Sequence, residues 1–264
     1  MTRKCEADMS KEIVVFSMLL NSIYTKPFTI KSPEYLTSAV QLADYYCALP
    51  ILKKGFNLSL PRNTNFFAHI SANADKIVVD AYKMKHAALF RECMIQLMGP
   101  LRNPRLENIQ DVALRVIAET YRVKLRKFIR QVEQDIRKFV SAHILALEKQ
   151  PDPSLLERFV KNSIPILPGD ENFSLIGMRL PEYYRMMYNQ KKWYPEIKSL
   201  IKPLLKNNLK FGKDAKAHAG EGWYANYFLC LEITDEELPW EVEQDEEIDW
   251  EENCNTARSN GVGI

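Results

Sequence analysis

Four histidines, five cysteines and 34 acids are the groups of this 264-residue chain best suited to chemistry, and their spacing assembles no site. Metal ligands come from short local motifs or paired cysteines. Here His69, His86, His143 and His218 stand alone, and Cys5, Cys47, Cys93, Cys230 and Cys254 contain no C-x-x-C. Gly212-Lys213 lacks the upstream glycine of a phosphate loop and is followed by Asp214. There is no Gly-x-Ser-x-Gly elbow. No catalytic residue, cofactor-binding residue or metal ligand is therefore assigned, no cofactor is expected, and the chain is not expected to be an enzyme. His143, on an apolar helical stripe, reads as a core histidine. An odd number of well-separated cysteines fits reduced thiols in an intracellular protein, cytoplasmic or nuclear.

What remains is the chemistry of surfaces. Ile13, Phe16, Leu20, Ile23 and Tyr24 recur every three or four residues and share one face of a helix. Residues 232–252 hold twelve acids and no Lys or Arg, so the other 22 acids and 36 bases leave the rest of the chain at +14. Leu238, Trp240, Val242, Ile248 and Trp250 are set among those acids, a pattern of segments that stay solvated until they dock. Phe16, Leu20, Ile23, Trp240 and Trp250 are the candidate interaction residues. Either the tail only solubilises, or Trp240 anchors on the chain's own body and Trp250 with the acids beyond it lies over the basic face or recruits a basic partner.

A basic row (Arg115, Arg122, Lys124, Arg126, Lys127, Arg130, Arg137 and Lys138) could contact phosphates. The side chains able to stack on bases, Tyr121 and Phe128, fall on the stripe expected to be buried. The row reads better as a solvated face with ion pairs such as Glu133–Arg137. Nucleic acid is not an expected partner, and a nuclear, nucleic-acid-associated regulator is the alternative reading.

The elements that must position these residues are helical. A helix over 9–25 stops at Pro27. Ser32-Pro33-Glu34 starts a second, with the serine hydroxyl as cap and Leu36, Ala39, Val40, Ala43 and Cys47 inward. Pro50 opens a third, toward whose start Asp44 is expected to reach. A helical pattern from Asn73 breaks near His86 and ends at Gly99-Pro100. From Arg105 to Lys149 neither Gly nor Pro interrupts the longest helix, with Val112, Val116, Tyr121, Leu125, Phe128, Ile129, Val132 and Ile136 on its apolar stripe. Then come a short helix at 154–159, a connector at 164–170, and helices opened by Pro181 and Pro195. Tyr224–Ile233 is ambiguous between strand and helix turn. The apolar run Ile13–Leu20 is far too short to cross a bilayer, so no membrane is expected.

Two stretches carry a resemblance. Val15-Phe16-Ser17-Met18-Leu19-Leu20-Asn21-Ser22-Ile23-Tyr24-Thr25 is similar to the V-F-x-x-L-L-x-x-I-Y-T helix of BTB/POZ domains. Leu42-Ala43-Asp44-Tyr45-Tyr46-Cys47-Ala48-Leu49-Pro50-Ile51-Leu52 resembles the helix pair that closes that domain. Further phrases, Leu89–Ile95, Leu180–Tyr184 and Phe228–Ile233 with Leu238-Pro239-Trp240, resemble fungal BTB-domain proteins with a helical C-terminal region. The family's strand-rich N-terminal half has no counterpart here.

The resemblance implies an all-α fold: residues 1–60 as the helical half of a BTB/POZ-like domain, 61–234 as a helical bundle with one long helix, and 235–264 as a disordered acidic tail. It implies a non-catalytic protein–protein interaction module, an adaptor or scaffold with a protein partner. A cullin scaffold or a BTB dimer is the family's precedent, but both rely largely on the half that is missing. Either the sequence starts late within that domain, or it is a true half-domain in which Phe16, Leu20 and Ile23 must find another cover.

Overall fold

The computed structural model describes residues 2–101, 104–149, 179–190 and 194–241, with the helical stretches 2–8 and 143–149 described by backbone alone. The described residues form eight α-helices and no strand: α1 (Thr2–Ile23), α2 (Pro33–Tyr45), α3 (Leu49–Ser59), α4 (Thr64–Lys83), α5 (Ala87–Met98), α6 (Val112–Lys149), α7 (Leu180–Asn189) and α8 (Pro195–Ile201). The fold is all-α. The expected elements at 154–159 and 164–170 lie outside the described residues.

α5 is the hub. It is apolar on nearly every side, as a helix enclosed by neighbours must be, and Leu89, Phe90, Cys93, Met94, Ile95, Leu97 and Met98 are all buried. α4 packs along it and α6 crosses it, while α2 covers α4 and α1 lies against α2 and α3. One apolar cluster runs from Val15 to Leu238.

Three helices end in the same way. Thr25, Cys47 and Lys85 hold φ of 53°, 54° and 52°, and each left-handed residue is followed by an amide reaching back five residues: Lys26 to Asn21, Ala48 to Ala43 and His86 to Ala81. This terminator usually takes glycine, so composition gave no sign of it. α4 also begins nine residues earlier than expected and bends at Asn73, whose backbone leaves the helical region.

Several sequence expectations need correction. Ser32 occupies the N-cap position of α2, but its hydroxyl bonds to Glu34 and caps no amide. Cys47 is exposed, because the left-handed turn carries it off the α2 stripe. Asp44 does not reach α3. Its carboxylate accepts a 2.9 Å bond from Lys83 Nζ on α4. On α6, the inward stripe is Leu114, Ala118, Tyr121, Leu125, Ile129, Val132 and Ile136, whereas Val112 and Val116 face solvent and Phe128 is 37% exposed. Glu133 accepts the Tyr184 hydroxyl at 3.3 Å, and Arg137 attracts its carboxylate without closing a direct ion pair. Tyr224–Ile233 is neither strand nor helix beyond its first residue. It is an irregular run with Phe228, Leu229, Cys230 and Leu231 buried. Distant backbone pairs with it in place of a ladder: the Phe228 amide donates to Gly99 O at 2.9 Å and Leu229 O accepts from the Asn208 amide at 3.0 Å.

Candidate interaction surface

α1 is apolar on two faces, and the bundle covers only one. Val15, Met18, Leu19 and Ser22 point inward. Close approach of α3 requires Gly55, where an added Cβ would lie 2.3 Å from Ser22 Oγ. The opposite face carries Met9, Ile13, Phe16, Leu20, Ile23 and Tyr24, exposed by 61, 64, 48, 38, 52 and 68% respectively. The bundle thus leaves Phe16, Leu20 and Ile23 on one open face. Met9, four residues before Ile13, extends the row and was legible from the same spacing. Between Ile13 and Tyr24 the outward residues include no charge, Ser17 being the only polar one. Single exposed apolar residues are ordinary, whereas a contiguous uncharged row of six on one helix face is not.

The second candidate region is the start of the acidic segment. Trp240 is half-buried and packs edge-on to Phe90, with ring centroids 5.1 Å apart, and near Tyr82 at 6.0 Å. Leu238 beside it is buried. The approach to Trp240 is fixed by side chains of α5 and α6. Arg91 Nε donates to Ile233 O at 2.7 Å and the same guanidinium pairs with Asp235. Lys124 Nζ donates to Glu232 O at 2.7 Å and pairs with Glu237, while the Tyr121 hydroxyl donates to Glu237 O at 2.6 Å. The Lys124 bond holds the Glu237 carboxyl below its usual range. Residues 235–241 are thus part of the folded body. Trp250 lies outside the described residues, so the structure brings Phe16, Leu20 and Ile23 together and places Trp240 elsewhere.

The basic row on α6 is largely committed to local partners. Arg115 donates to Ile109 O, Arg122 pairs with Glu119 at 2.8 Å, Arg126 donates to Leu101 O at 3.1 Å and Lys138 pairs with Asp135 at 3.3 Å. Tyr121 is buried, which leaves the partly exposed Phe128 as the one of the two expected stacking rings that this face could offer.

Sequence reasoning missed the buried ionisable groups. Glu92, on α5, is pushed up to about 8 by burial, against the amides of Lys210 and Phe211 that donate to it. Asp80 is pushed up to about 6 by burial, with the Thr37 hydroxyl donating at 2.6 Å. Burial pushes His86 down to about 3, so the ring is neutral. Its Nδ1 accepts the Leu89 amide at 3.1 Å as the N-cap of α5, which assigns the proton to Nε2, 2.6 Å from Asn57 Oδ1. Each group fastens one element to another. The side chain of His143 lies outside the described residues. Burial also raises the Cys93 thiol, and the Cys230 thiol to about 12, the reverse of what a nucleophile needs. Among the described residues no group of three or more His, Cys, Asp or Glu could hold a metal ion, and no helix is long and apolar enough to cross a membrane.

Compared with family models, curated proteins and solved structures, the chain matches none.

Proposed function

We propose that this chain is a non-catalytic protein–protein interaction module, an adaptor or scaffold of BTB/POZ-like type, and that the outward face of α1 is its contact surface. The observation that carries the reading is the uncharged row from Met9 to Tyr24, which the bundle leaves open. Interface cores are enriched in Phe, Tyr and Met and depleted of charge, as this row is. The BTB/POZ-like part of the reading rests on the two motifs quoted above. The first runs along α1, and the second spans the end of α2 and the start of α3, packed against α1.

The test is affinity capture with the intact chain beside Phe16→Ser. Phe16 faces solvent, so the substitution leaves the fold intact and removes the largest contact at the centre of the row. At least one protein, the chain itself included, is expected to be retained by the wild type and lost at least tenfold from the variant, the scale of a central contact residue. Equal recoveries would falsify the proposal.

A further inference from the structure

The loop that follows α8 carries positive charge that the bundle does not neutralise. Between residues 206 and 223, Lys206, Lys210, Lys213, Lys216 and His218 are exposed. None of the four lysines closes an ion pair among the described residues. The two acids of the stretch are engaged elsewhere. Asp214 is half-buried, and its charge is felt by the enclosed Tyr224 and Glu92. Glu221 lies 3.6 Å from Arg185 of α7.

One ring stands on the same loop, and the backbone decides which. Gly222 holds φ of 53° and opens a 3-10 turn that buries Tyr224, whose hydroxyl accepts from Gln96 Nε2 at 2.9 Å. Its neighbour Trp223 is turned outward and is 76% exposed, against 37% for Phe128 on α6. The loop is fixed at both ends. Asn207 Nδ2 donates to Asp214 O at 2.8 Å and to Ala217 O at 2.9 Å, the Lys210 amide bonds Glu92 at 2.8 Å, and Phe211 stacks on Phe67. At the other end Arg185 Nε donates to Ala219 O at 2.8 Å. Gly220, with φ of 80°, sits so close to Pro181 that an added Cβ would strike its carbonyl. A ligand seated on such a loop loses little to ordering it.

We infer that this loop is a binding surface for single-stranded nucleic acid, with a base stacked on Trp223 and backbone phosphates on Lys213, Lys216 and the lysines before them. The surface uses none of the α6 row, whose bases are largely committed to local partners. It is also independent of the open face of α1.

Three kinds of partner suit a basic loop with an aromatic ring, and composition separates them. Protein interfaces are depleted of lysine and enriched in arginine, whereas lysine supplies all the fixed positive charge here. A segment that lies in a membrane surface sets its ring among aliphatic side chains that enter the acyl boundary. The residues exposed just before Trp223 are Glu221 and Gly222. A single strand asks only for what is present, a flat ring that any base can cover and ammonium groups along the backbone. A duplex keeps its bases stacked on one another and leaves the ring unused.

Fluorescence anisotropy of labelled oligo-dT of about 12 nucleotides, titrated with the full chain, tests the inference. Binding is expected at low salt, with affinity falling as salt rises. Trp223→Ala should weaken it about tenfold, the scale of one lost base stack. The thermal midpoint of that variant should match the wild type, because the ring is exposed. Lys213→Gln combined with Lys216→Gln should flatten the logarithmic salt slope by about 1.4, at roughly 0.7 per phosphate contact. Lys127→Gln with Arg130→Gln on α6 should leave the affinity unchanged. Phe16→Ser should leave it unchanged as well, so this surface and the α1 face fail separately. Absence of binding at low salt overturns the inference, as does binding that Trp223→Ala leaves intact. Equal affinity for a duplex of the same length removes the stacked base and overturns it too. Loss confined to the α6 variant places the contact on the long helix and sinks the assignment. Capture by phosphatidylserine vesicles through Trp223, without binding of oligo-dT, would make the loop a membrane surface and the inference wrong.

Discussion

Glu92 is a carboxyl held where its type is seldom found, inside the core. It sits on the most buried helix, is 2% exposed, and its charge is opposed by burial more than it is supported by the amides of Lys210 and Phe211. The folded carboxyl titrates near 8 and an unfolded one near 4.3. Between those values the native state holds a proton that the unfolded chain has released, so this group's contribution to stability is complete below the lower value and lost as pH rises through the upper. Glu92→Gln keeps an acceptor for the Lys210 amide and removes the charge. The variant is expected to be more stable than the wild type at pH 8, by on the order of 2–4 kcal/mol, and equal to it near pH 4. Denaturant titrations at the two pH values measure the difference. A constant gap would show that Glu92 does not titrate in this window. His86 acts in the opposite sense. With its folded value near 3, its contribution is complete above the unfolded value of about 6.5 and is lost as pH falls toward 3. The Glu92 difference should therefore be read against wild type at each pH.

At the scale of elements, three helix ends depend on residues ill suited to them. Thr25, Cys47 and Lys85 hold a left-handed backbone that costs a residue with a Cβ roughly 1–2 kcal/mol relative to glycine. The closures persist because the chain must turn tightly there for α1, α2 and α4 to hand over to their neighbours. Cys47 is the cleanest test, being exposed and distant from the row on α1 in sequence. Cys47→Gly is expected to raise stability by about 0.5–1 kcal/mol, the conformational gain less glycine's added freedom in the unfolded chain. It appears as a higher thermal midpoint, and a lowered one would mean that glycine's freedom in the unfolded chain outweighs the relief of the left-handed backbone. The Asp44–Lys83 pair beside it, with both side chains nearly half exposed, adds little in comparison.

For the molecule as a whole, the run from Phe228 to Trp240 works as a strap. Arg91 and Lys124 bind it from positions more than a hundred residues earlier in the sequence. Trp240 closes it over Tyr82 and Phe90. The ion pairs along the strap are partly exposed and contribute modestly, so Trp240 and Leu238 supply most of the attachment. Trp240→Ala is expected to lower stability by about 2 kcal/mol, below the value for a fully enclosed tryptophan because this ring is half-buried. In 1 M salt the loss should stay within about a third of that value, since screening acts on the ion pairs and not on the ring. Thermal unfolding at low and high salt measures both, and a loss that vanishes in salt would make the strap electrostatic.

The all-helical fold was written in the sequence, because Pro27, Pro50 and Gly99-Pro100 break the chain where three-to-four periodicity lapses. The aromatic helix opened by Pro181 was legible for the same local reason. Shared faces were legible too, since spacing alone puts Phe16, Leu20 and Ile23 together. Which face turns inward was not. α1 carries Val15, Met18 and Leu19 on one side and Ile13, Phe16 and Leu20 on the other, both able to be buried, and α6 presents the same ambiguity with Val112 and Val116 against Leu114 and Ala118. The decision falls to neighbours such as Gly55, whose missing side chain admits Ser22. The partners of His86, Asp80, Glu92 and Trp240 were likewise set by tertiary packing, because each bond joins groups separated by many residues and leaves no mark in local spacing. Periodicity is a property of one helix, whereas burial is a property of two surfaces meeting, and only the assembled bundle supplies the second surface.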